Sequence, residues 1–286
     1  MDQNVTGILN GIIEKILNTS SSAEYHLMVK SKETRIKEST YTTPDLSVVT
    51  ITYNEREGIP EFIEVINAIF QKNNIHGDII VVDDNSPDGT AQVVMELKKK
   101  YPNTTLLSRP TKMGVGSAYR DGINIATGKI IIPLDADLSH TPDVIPELYT
   151  IAQEGKVGWG SRYLGDTPFE TDFPHKVGTF LLNRWVRVVL QTGVKDNSMG
   201  YFAMKKELLQ QILDYGKEKN LHPFEHILYG ITIAALAKKL NIPIVEVKTY
   251  YHRRKHGETK IPFWHGLKTV LGDMGYAFTI RRRLRR

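Results

Sequence analysis

The chain has 286 residues, no cysteine, 41% hydrophobic and 24% charged residues, and a formal net charge of +5. This composition is ordinary for a globular protein, and the lack of cysteine excludes disulfides and thiolate metal sites. No apolar run reaches the ~18 residues of a membrane-spanning helix. Residues 1–10 also lack the basic and apolar blocks of a secretory signal. We therefore expect a cytoplasmic protein that is neither exported nor membrane-spanning.

The positive charge is concentrated at the C-terminus. Residues 251–286 contain ten Lys or Arg and two acidic residues, whereas the rest of the chain carries a net charge of −3. A basic end favours an anionic surface, either lipid or nucleic acid. Few aromatic residues separate the arginines and no RNA-binding signature is present, so we expect no nucleic-acid partner.

The first predicted element is an amphipathic helix at residues 1–20. Its apolar residues recur at helical spacing on one face: Val5, Ile8, Leu9, Ile12, Ile13, Ile16 and Leu17. Residues 23–44 are polar and of mixed charge and are interpreted as a tether. Residues 1–44 are thus predicted to be an extension that precedes the main domain at 45–260. The helix is interpreted as a membrane anchor or as a self-association element, and both interpretations stay open.

Strands and helices alternate from residue 45 onwards. Apolar, largely β-branched runs predict strands at residues 46–51, 78–82, 105–107 and 129–134. Helical periodicity predicts helices at residues 58–72, 90–100 and 117–126. This alternation predicts a mostly parallel, Rossmann-like α/β sheet, in which ligands bind at the carboxyl ends of the strands.

Polar motifs follow three of these strands. The first strand is followed by Tyr53-Asn54-Glu55, the second by Asp83 to Gly89, and the fourth by Asp135-Ala136-Asp137. The carboxylates of Asp135 and Asp137 can both reach one cation, and hard ions such as Mg²⁺ or Mn²⁺ take oxygen ligands. A D-x-D pair also occurs by chance in surface loops, but its place after an apolar strand favours a metal site.

Two loops, 83–90 and 112–116, can each be interpreted as either structural or functional. The segment 83–90 is typical of a helix entry with Ser86 or Asp88 as its cap. That leaves Asp84 unexplained, and its carboxylate can accept hydrogen bonds from a nucleotide base or ribose. The second loop, 112–116, precedes a helix, but a dinucleotide-binding G-x-G-x-x-G motif fails because Tyr119 stands at the third glycine position. Two interpretations of the loop 112–116 remain open: a tight loop that only begins the helix, and a helix N-terminus that binds phosphate.

Four consecutive motifs together resemble the family-2 glycosyltransferases. They are Thr52 to Glu57, Val82 to Thr90, Asp135 to His140 and Gly160 to Tyr163. Their order and spacing resemble the dolichyl-phosphate mannose synthases and polyprenyl-phosphate relatives within that family. The resemblance runs from about residue 45 to about residue 260, and it implies a GT-A-type nucleotide-sugar-binding fold.

The resemblance also implies a role for each matching residue. Tyr53, Glu55, Val82 and Asp84 would hold the base and ribose of a nucleotide-sugar. Asp135 and Asp137 would bind the metal and the diphosphate, with Ala136 lining the site. Arg162 would contact phosphate or the acceptor, and Arg254 and Lys260 would contact the donor phosphates, although 254–260 taken alone also fits a solvated basic turn. The implied catalytic set is Asp137, Arg162, Arg254 and Lys260.

The predicted reaction is transfer of a hexose to dolichyl or polyprenyl phosphate with inversion. Mannose from GDP-mannose is the leading case, and glucose or N-acetylhexosamine from a UDP-sugar, with a lipid-phosphate or glycan acceptor, is the alternative. The sugar stays open because Met199, Phe202 and the segment 173–176 depart from the family pattern. A nucleotidyltransferase also uses carboxylates and a metal, but it leaves Asp84, Arg162 and Arg254 unexplained.

The C-terminal segment, 261–286, predicts an interfacial helix with a basic anchor. Its apolar residues lie on one helical face: Phe263, Trp264, Leu267, Val270, Leu271, Met274 and Phe278. A helix packed on the domain with a solvated tail is the other interpretation. We expect a peripheral protein at the cytoplasmic face of a membrane, serving protein or lipid glycosylation.

Overall fold

The computed structural model describes residues 43–165, 170–171, 173–226, 229–252 and 263–286. Within the helices, the side chains of residues 174, 263–271 and 273 are not described. The predicted N-terminal helix and most of its tether therefore lie outside the described residues, as do Arg254 and Lys260.

Seven strands of the described part of the chain form one sheet. They are β1 (Leu46–Thr52), β2 (Gly77–Asp83), β3 (Thr104–Ser108), β4 (Ile130–Pro133), β5 (Val157–Ser161), β6 (Phe202–Lys205) and β7 (Ile244–Lys248). The order across the sheet is β3-β2-β1-β4-β6-β5-β7. Only β6 pairs antiparallel with its neighbours, β4 and β5. The predicted mostly parallel sheet is therefore confirmed.

Helices cover both faces of this sheet. They are α1 (Ile59–Lys72), α2 (Thr90–Lys100), α3 (Val115–Ile125), α4 (Ile145–Gln153), α5 (Phe173–Leu190), α6 (Lys206–Glu218), α7 (Tyr229–Lys239) and α8 (Phe263–Arg283). Two short 3₁₀ turns, Pro142–Val144 and Pro223–Glu225, complete the described elements. Because both faces are covered, the central strands β1, β2 and β4 are buried along almost their whole length, rather than on alternate residues only.

The core consists of two clusters, one on each face of the sheet. Alternate residues of β1 divide between them: Val49 packs with α3 and α5 to α8, whereas Leu46 and Val48 pack with α1, α2 and α4. This division follows from the period of two along a strand. It leaves the carboxyl ends of the parallel strands at one edge of the sheet, where the polar motifs lie.

The C-terminal half of α8 packs on the domain. Ala277, Ile280 and Leu284 are buried in the same cluster as α5 and α7. The Trp185 indole of α5 donates to the Met274 carbonyl at 3.1 Å, and its ring meets Phe278 edge-on. The guanidinium of Arg283 donates to the Asn220 carbonyl. The described half of this helix therefore agrees with the packed interpretation rather than with a fully interfacial helix.

Candidate active site

The ends of three neighbouring strands bring the acidic motifs together. Strand β1 lies between β2 and β4, and Thr52 is in register with Asp83. The amide of Asp84 donates to the Thr52 carbonyl at 3.1 Å, and the amide of Leu134 donates to the Val49 carbonyl at 2.9 Å. The motifs after β2 and β4 therefore flank the end of β1 at one rim of the sheet.

The loop after β2 is braced by its own side chains. Asp83 is 1% exposed and accepts hydrogen bonds from the Thr52 hydroxyl at 3.0 Å and the Ser86 hydroxyl at 2.6 Å. Asp88 accepts from the Thr90 hydroxyl at 2.6 Å and from the Arg56 amide at 3.1 Å. Burial alone would raise the pKa of Asp88, but these donors outweigh it and lower the pKa. These side chains shape the loop. The predicted cap was wrong, since the N-cap residue of α2 is Gly89, which has a left-handed backbone; Asp88 instead accepts a hydrogen bond from the Thr90 amide at 3.0 Å.

Asp84 forms a buried ion pair with Arg109, which follows β3. The same guanidinium donates to the Ser117 hydroxyl at 2.8 Å, Asp121 at 3.1 Å and the Gly114 carbonyl at 3.2 Å. One arginine thus joins the end of β2 to the glycine-containing loop and the first turns of α3. The structure therefore gives Asp84 a partner that the sequence did not suggest.

The carboxylates of the D-x-D motif follow β4. Asp135 accepts a hydrogen bond from the Tyr119 hydroxyl at 2.6 Å, and Asp137 accepts from the Ser139 amide at 2.9 Å. Burial, with the charge of Asp135 next in importance, raises the pKa of Tyr119 well above 10. Tyr119 is therefore a protonated donor at neutral pH.

Three aromatic side chains, His140, Tyr201 and Tyr251, pack together beside the D-x-D motif. The His140 imidazole lies 3.6 Å from Asp135 Oδ2, and its ring contacts Tyr201 and Tyr251 with centroids 5.9 and 5.2 Å apart. Burial lowers the pKa of His140, although Asp135 partly opposes that shift. The His252 amide donates to the Ser139 carbonyl at 2.9 Å. The chain that leaves β7 therefore runs beside the D-x-D loop.

Arg162, which follows β5, forms a bidentate ion pair with Asp196. Its Nε and Nη2 donate to the two carboxylate oxygens at 2.7 and 2.8 Å, and Nη2 also donates to the Ser198 hydroxyl at 2.8 Å. The Asn183 amide group of α5 joins the network at Ser198, at 2.9 Å. Burial opposes the charged guanidinium, but Asp196 overcomes it and raises the pKa of Arg162.

Comparison with known proteins agrees with this architecture. The family described as Glycosyl transferase family 2 matches residues 47–213, which is more than half of the chain. The chain belongs to glycosyl transferase family 2.

Relatives within the family carry more specific names. The dolichol-phosphate mannosyltransferase of Pyrococcus furiosus is 33% identical over 76% of this chain, and the match covers 59% of that protein. The polyprenol monophosphomannose synthase of Mycolicibacterium smegmatis is 29% identical over 75% of this chain and 80% of its own length. This chain thus aligns with less than two thirds of the Pyrococcus furiosus protein.

A solved structure shares the fold. The mannosyltransferase PcManGT from Pyrobaculum calidifontis superposes with a TM-score of 0.50 at 17% identity, covering 90% of this chain and 81% of that one. The neighbours of this fold are GT-A glycosyltransferases, so the predicted fold class is confirmed.

The remaining sequence-predicted residues of this family-2 chain occupy different environments. Tyr53 and Glu55 are half-buried at the rim, and the Lys112 ammonium lies 3.8 Å from the centre of the Tyr53 ring. The side chains of Val82 and Ala136 are buried in the core, at 0% and 3% exposure. A ligand would therefore meet the backbone of these two residues rather than their side chains.

The donor set of the D-x-D motif fits a divalent metal. Asp135 and Asp137 are half-buried, and the Asp135 side chain is 43% exposed beside a buried tyrosine donor. Oxygen ligands, a carboxylate pair and access for solvent are what Mg²⁺ and Mn²⁺ require. Among the described residues no cluster of three His, Asp or Glu offers a further protein cage. Substrate phosphates or water would complete the coordination.

Sequence reasoning missed three residues that organise this site: Arg109, Tyr119 and Asp196. Arg109 carried a usable signal, since it is a charged residue two positions after the strand predicted at 105–107. Tyr119 was considered only because it interrupts a glycine motif, and Asp196 only as part of a family-like segment. Their partners lie 16 to 34 residues away along the chain.

Proposed function

We propose that this protein transfers mannose from GDP-mannose to dolichyl or polyprenyl phosphate, with inversion and with a divalent metal. The observation that carries the proposal is the carboxylate pair of Asp135 and Asp137 at the end of β4, at the rim that also holds Asp84. It is supported by relatives named dolichol-phosphate mannosyltransferase and polyprenol monophosphomannose synthase, which align over about three quarters of this chain.

Each proposed role follows from a position on the rim. Tyr53, Glu55 and Asp84 border the nucleoside, and Asp135 and Asp137 hold the Mg²⁺ or Mn²⁺ ion. That ion would supply Lewis-acid stabilisation of the departing diphosphate. In this scheme Arg109 keeps Asp84 in place rather than touching the donor.

The cationic side of the site is proposed from charge balance. A nucleoside diphosphate and a lipid phosphate bring several negative charges to one place, and Arg with Lys offsets them. The chain leaves β7 beside Ser139 and then enters the segment that contains Arg254 and Lys260. We assign these two residues to the phosphates, and Arg162 to the acceptor side, where Asp196 and Ser198 hold it.

The acceptor phosphate needs no catalytic base. The second pKa of a phosphate monoester is about 6, so the group is largely ionised at neutral pH. Protein groups then act by holding donor and acceptor in line and by stabilising the leaving group. Attack from the face opposite the diphosphate inverts the anomeric centre.

A membrane surface is the proposed location of this reaction. No helix among the described residues is both long and apolar enough to cross a bilayer. Helix α5, however, exposes a stripe of large apolar side chains: Phe173, Val177, Phe180, Leu181 and Val188. Exposed Lys176, Arg184 and Arg187 share this helix, and the arginines at 281–286 end α8, which packs against it. An apolar face edged by cations suits the surface of an anionic bilayer.

Flotation with vesicles tests this location. The double variant Leu181→Gln/Val188→Gln is expected to lose binding to vesicles that contain anionic lipid. The matched control is Met95→Gln on α2, since Met95 is 51% exposed and Leu181 is 53% exposed. Equal binding of the two variants would argue against α5 as the docking face.

The donor and acceptor are tested by measuring sugar transfer from radiolabelled GDP-mannose, UDP-glucose and UDP-N-acetylglucosamine to polyprenyl phosphate in detergent. The proposal expects lipid-linked mannose from GDP-mannose. If lipid-linked product forms only from a UDP-sugar, the proposed donor is wrong and that UDP-sugar takes its place. If none of the three donors gives a lipid-linked product, the proposed acceptor is wrong.

A further inference from the structure

The hydroxyl of Tyr119 supports one oxygen of the D-x-D motif from inside the protein. Tyr119 is 1% exposed on α3, whereas the Asp135 side chain reaches the rim with 43% of its surface exposed. The distance from the hydroxyl to Asp135 Oδ1 is 2.6 Å. This lies in the range of charge-assisted bonds between a hydroxyl and a carboxylate. The contact therefore joins a rigid interior donor to a residue at the site.

Tyr119 is fixed by a second buried tyrosine. The rings of Tyr119 and Tyr229 lie 5.2 Å apart between centroids, and the Tyr229 hydroxyl donates to the Gly200 carbonyl at 2.9 Å. A Cβ atom on Gly200 would lie 2.3 Å from that hydroxyl. Glycine is thus required where Tyr229 approaches the backbone. The two rings and the Gly200 carbonyl together hold the Tyr119 hydroxyl under Asp135.

The two oxygens of Asp135 differ in their surroundings. Oδ1 accepts the short bond from Tyr119, whereas Oδ2 lies 3.6 Å from His140 Nε2, beyond hydrogen-bond distance. A carboxylate held at one oxygen has its plane fixed before a ligand arrives. The other oxygen is then presented in a constant direction.

We propose that Tyr119 is a positioning residue for the divalent cation, acting by orienting the carboxylate of Asp135. The inference rests on the metal site proposed at Asp135 and Asp137. Groups that hydrogen-bond to a metal ligand orient it, and their loss typically weakens metal affinity 10–100-fold. Tyr119 touches neither donor nor acceptor in this scheme, so its effect passes entirely through Asp135.

The test is calorimetric titration of the full chain with Mn²⁺, alone and with GDP present. Tyr119→Phe keeps the ring and removes the hydroxyl, and it is expected to weaken Mn²⁺ binding about 10-fold or more. Tyr201→Phe is the matched control, because it also removes one buried hydroxyl, whose partner is the Thr141 carbonyl at 3.4 Å rather than Asp135. Its loss of Mn²⁺ affinity is expected to be smaller. Wild-type affinity in Tyr119→Phe, or equal losses in both variants, would overturn the positioning role.

Two further variants separate this inference from the proposed function. In an Asp135→Ala background, which has no side-chain acceptor for the Tyr119 hydroxyl, Tyr119→Phe is expected to cause no further loss of Mn²⁺ affinity, whereas an additive loss would mean that the hydroxyl acts elsewhere. Asp135→Ala tests the site itself. If that variant binds Mn²⁺ as tightly as wild type, the metal site and the inference both fail. If it loses binding while Tyr119→Phe does not, only the positioning role fails.

Discussion

Arg162 and Asp196 are joined by two parallel hydrogen bonds in a buried setting. Asp196 is 0% exposed and Arg162 is 8% exposed, so the pair is almost completely withdrawn from water. Asp196 also accepts the Arg162 amide at 3.0 Å. The guanidinium is therefore committed to one orientation, and any contact with a phosphate must be made with this pair intact.

Removing Asp196 is expected to destabilise the fold. Asp196→Ala leaves a buried guanidinium without its counter-charge, and such losses cost about 3–5 kcal/mol. Urea denaturation monitored by tryptophan fluorescence measures the change. The control is Glu64→Ala, which breaks an exposed 2.9 Å pair with Lys100 and should cause a much smaller change. Similar unfolding midpoints for the two variants would contradict a buried ion pair.

The ion pair of Asp84 and Arg109 is expected to show strong coupling. Arg109→Met strands a buried carboxylate and should cost about 3–5 kcal/mol of folding stability. Adding Asp84→Leu removes the stranded charge, so the double variant should recover much of that loss. A double-mutant cycle by chemical denaturation gives the coupling free energy. Additive losses would mean that the two side chains act independently.

Gly116 is expected to tolerate no side chain. A Cβ atom there would lie 2.3 Å from the Phe224 carbonyl oxygen, so the backbone at 223–226 must move. Gly116→Ala should therefore lower the melting temperature. Gly178→Ala on α5 is the matched control, since nothing lies within 4 Å of its Cβ position. Alanine in an open helical position stabilises by about 0.4–1 kcal/mol, so the two variants should shift the melting temperature in opposite directions.

Asp78 is expected to make stability fall as pH rises. Burial raises the pKa of this carboxyl above its ordinary 3.8, and a bond from Ser47 opposes the shift only in part. The folded protein then binds more protons than the unfolded chain between the two pKa values. The stability that protonated Asp78 contributes at low pH is therefore lost as the pH rises from the unfolded-state pKa through the higher folded-state pKa. Asp78→Asn should flatten the pH dependence of the urea midpoint above pH 4, and an unchanged pH dependence in this variant would contradict the prediction.

Local patterns predicted the first half of the sheet closely. The run at 46–51 became β1 with one further residue, and the run at 129–134 became the shorter β4. These strands are short runs of mostly apolar and β-branched residues bounded by polar or glycine residues, so composition and length suffice. The meeting of their carboxyl ends at one rim was predicted from the parallel arrangement of the strands alone.

The second half of the sheet carried a weaker signal. Strand β5 contains Gly158 and Gly160, which lower strand propensity. The structure uses them for close approach, since Gly158 faces the backbone of Leu148 and Gly160 faces Tyr201. Strand β6 has only four residues and runs antiparallel, which no alternation of strands and helices predicts. Strand β7 went unpredicted too.

The contacts within the site could not be predicted for a related reason. The carboxylates of Asp84 and Asp135 were identified from their places after strands, but their partners come from other elements. Tyr119 meets Asp135 only because α3 packs across the sheet, and Asp196 meets Arg162 only because the loop before β6 packs against β5, where the Trp159 indole donates to the Asp196 carbonyl. Sequence spacing contains no information about these tertiary neighbours.

Transfer of labelled mannose from GDP-mannose to polyprenyl phosphate, measured with and without Mn²⁺ for two aspartate variants, tests the central claim most directly. Asp137→Ala removes a proposed metal ligand, and Asp143→Ala removes an exposed carboxylate six residues further along the chain. The proposed mechanism expects Mn²⁺-dependent transfer by wild type and Asp143→Ala, and a loss of at least about 100-fold in Asp137→Ala, as for removal of a major electrostatic stabiliser. Near-normal, Mn²⁺-dependent transfer by Asp137→Ala would contradict the assignment of the site.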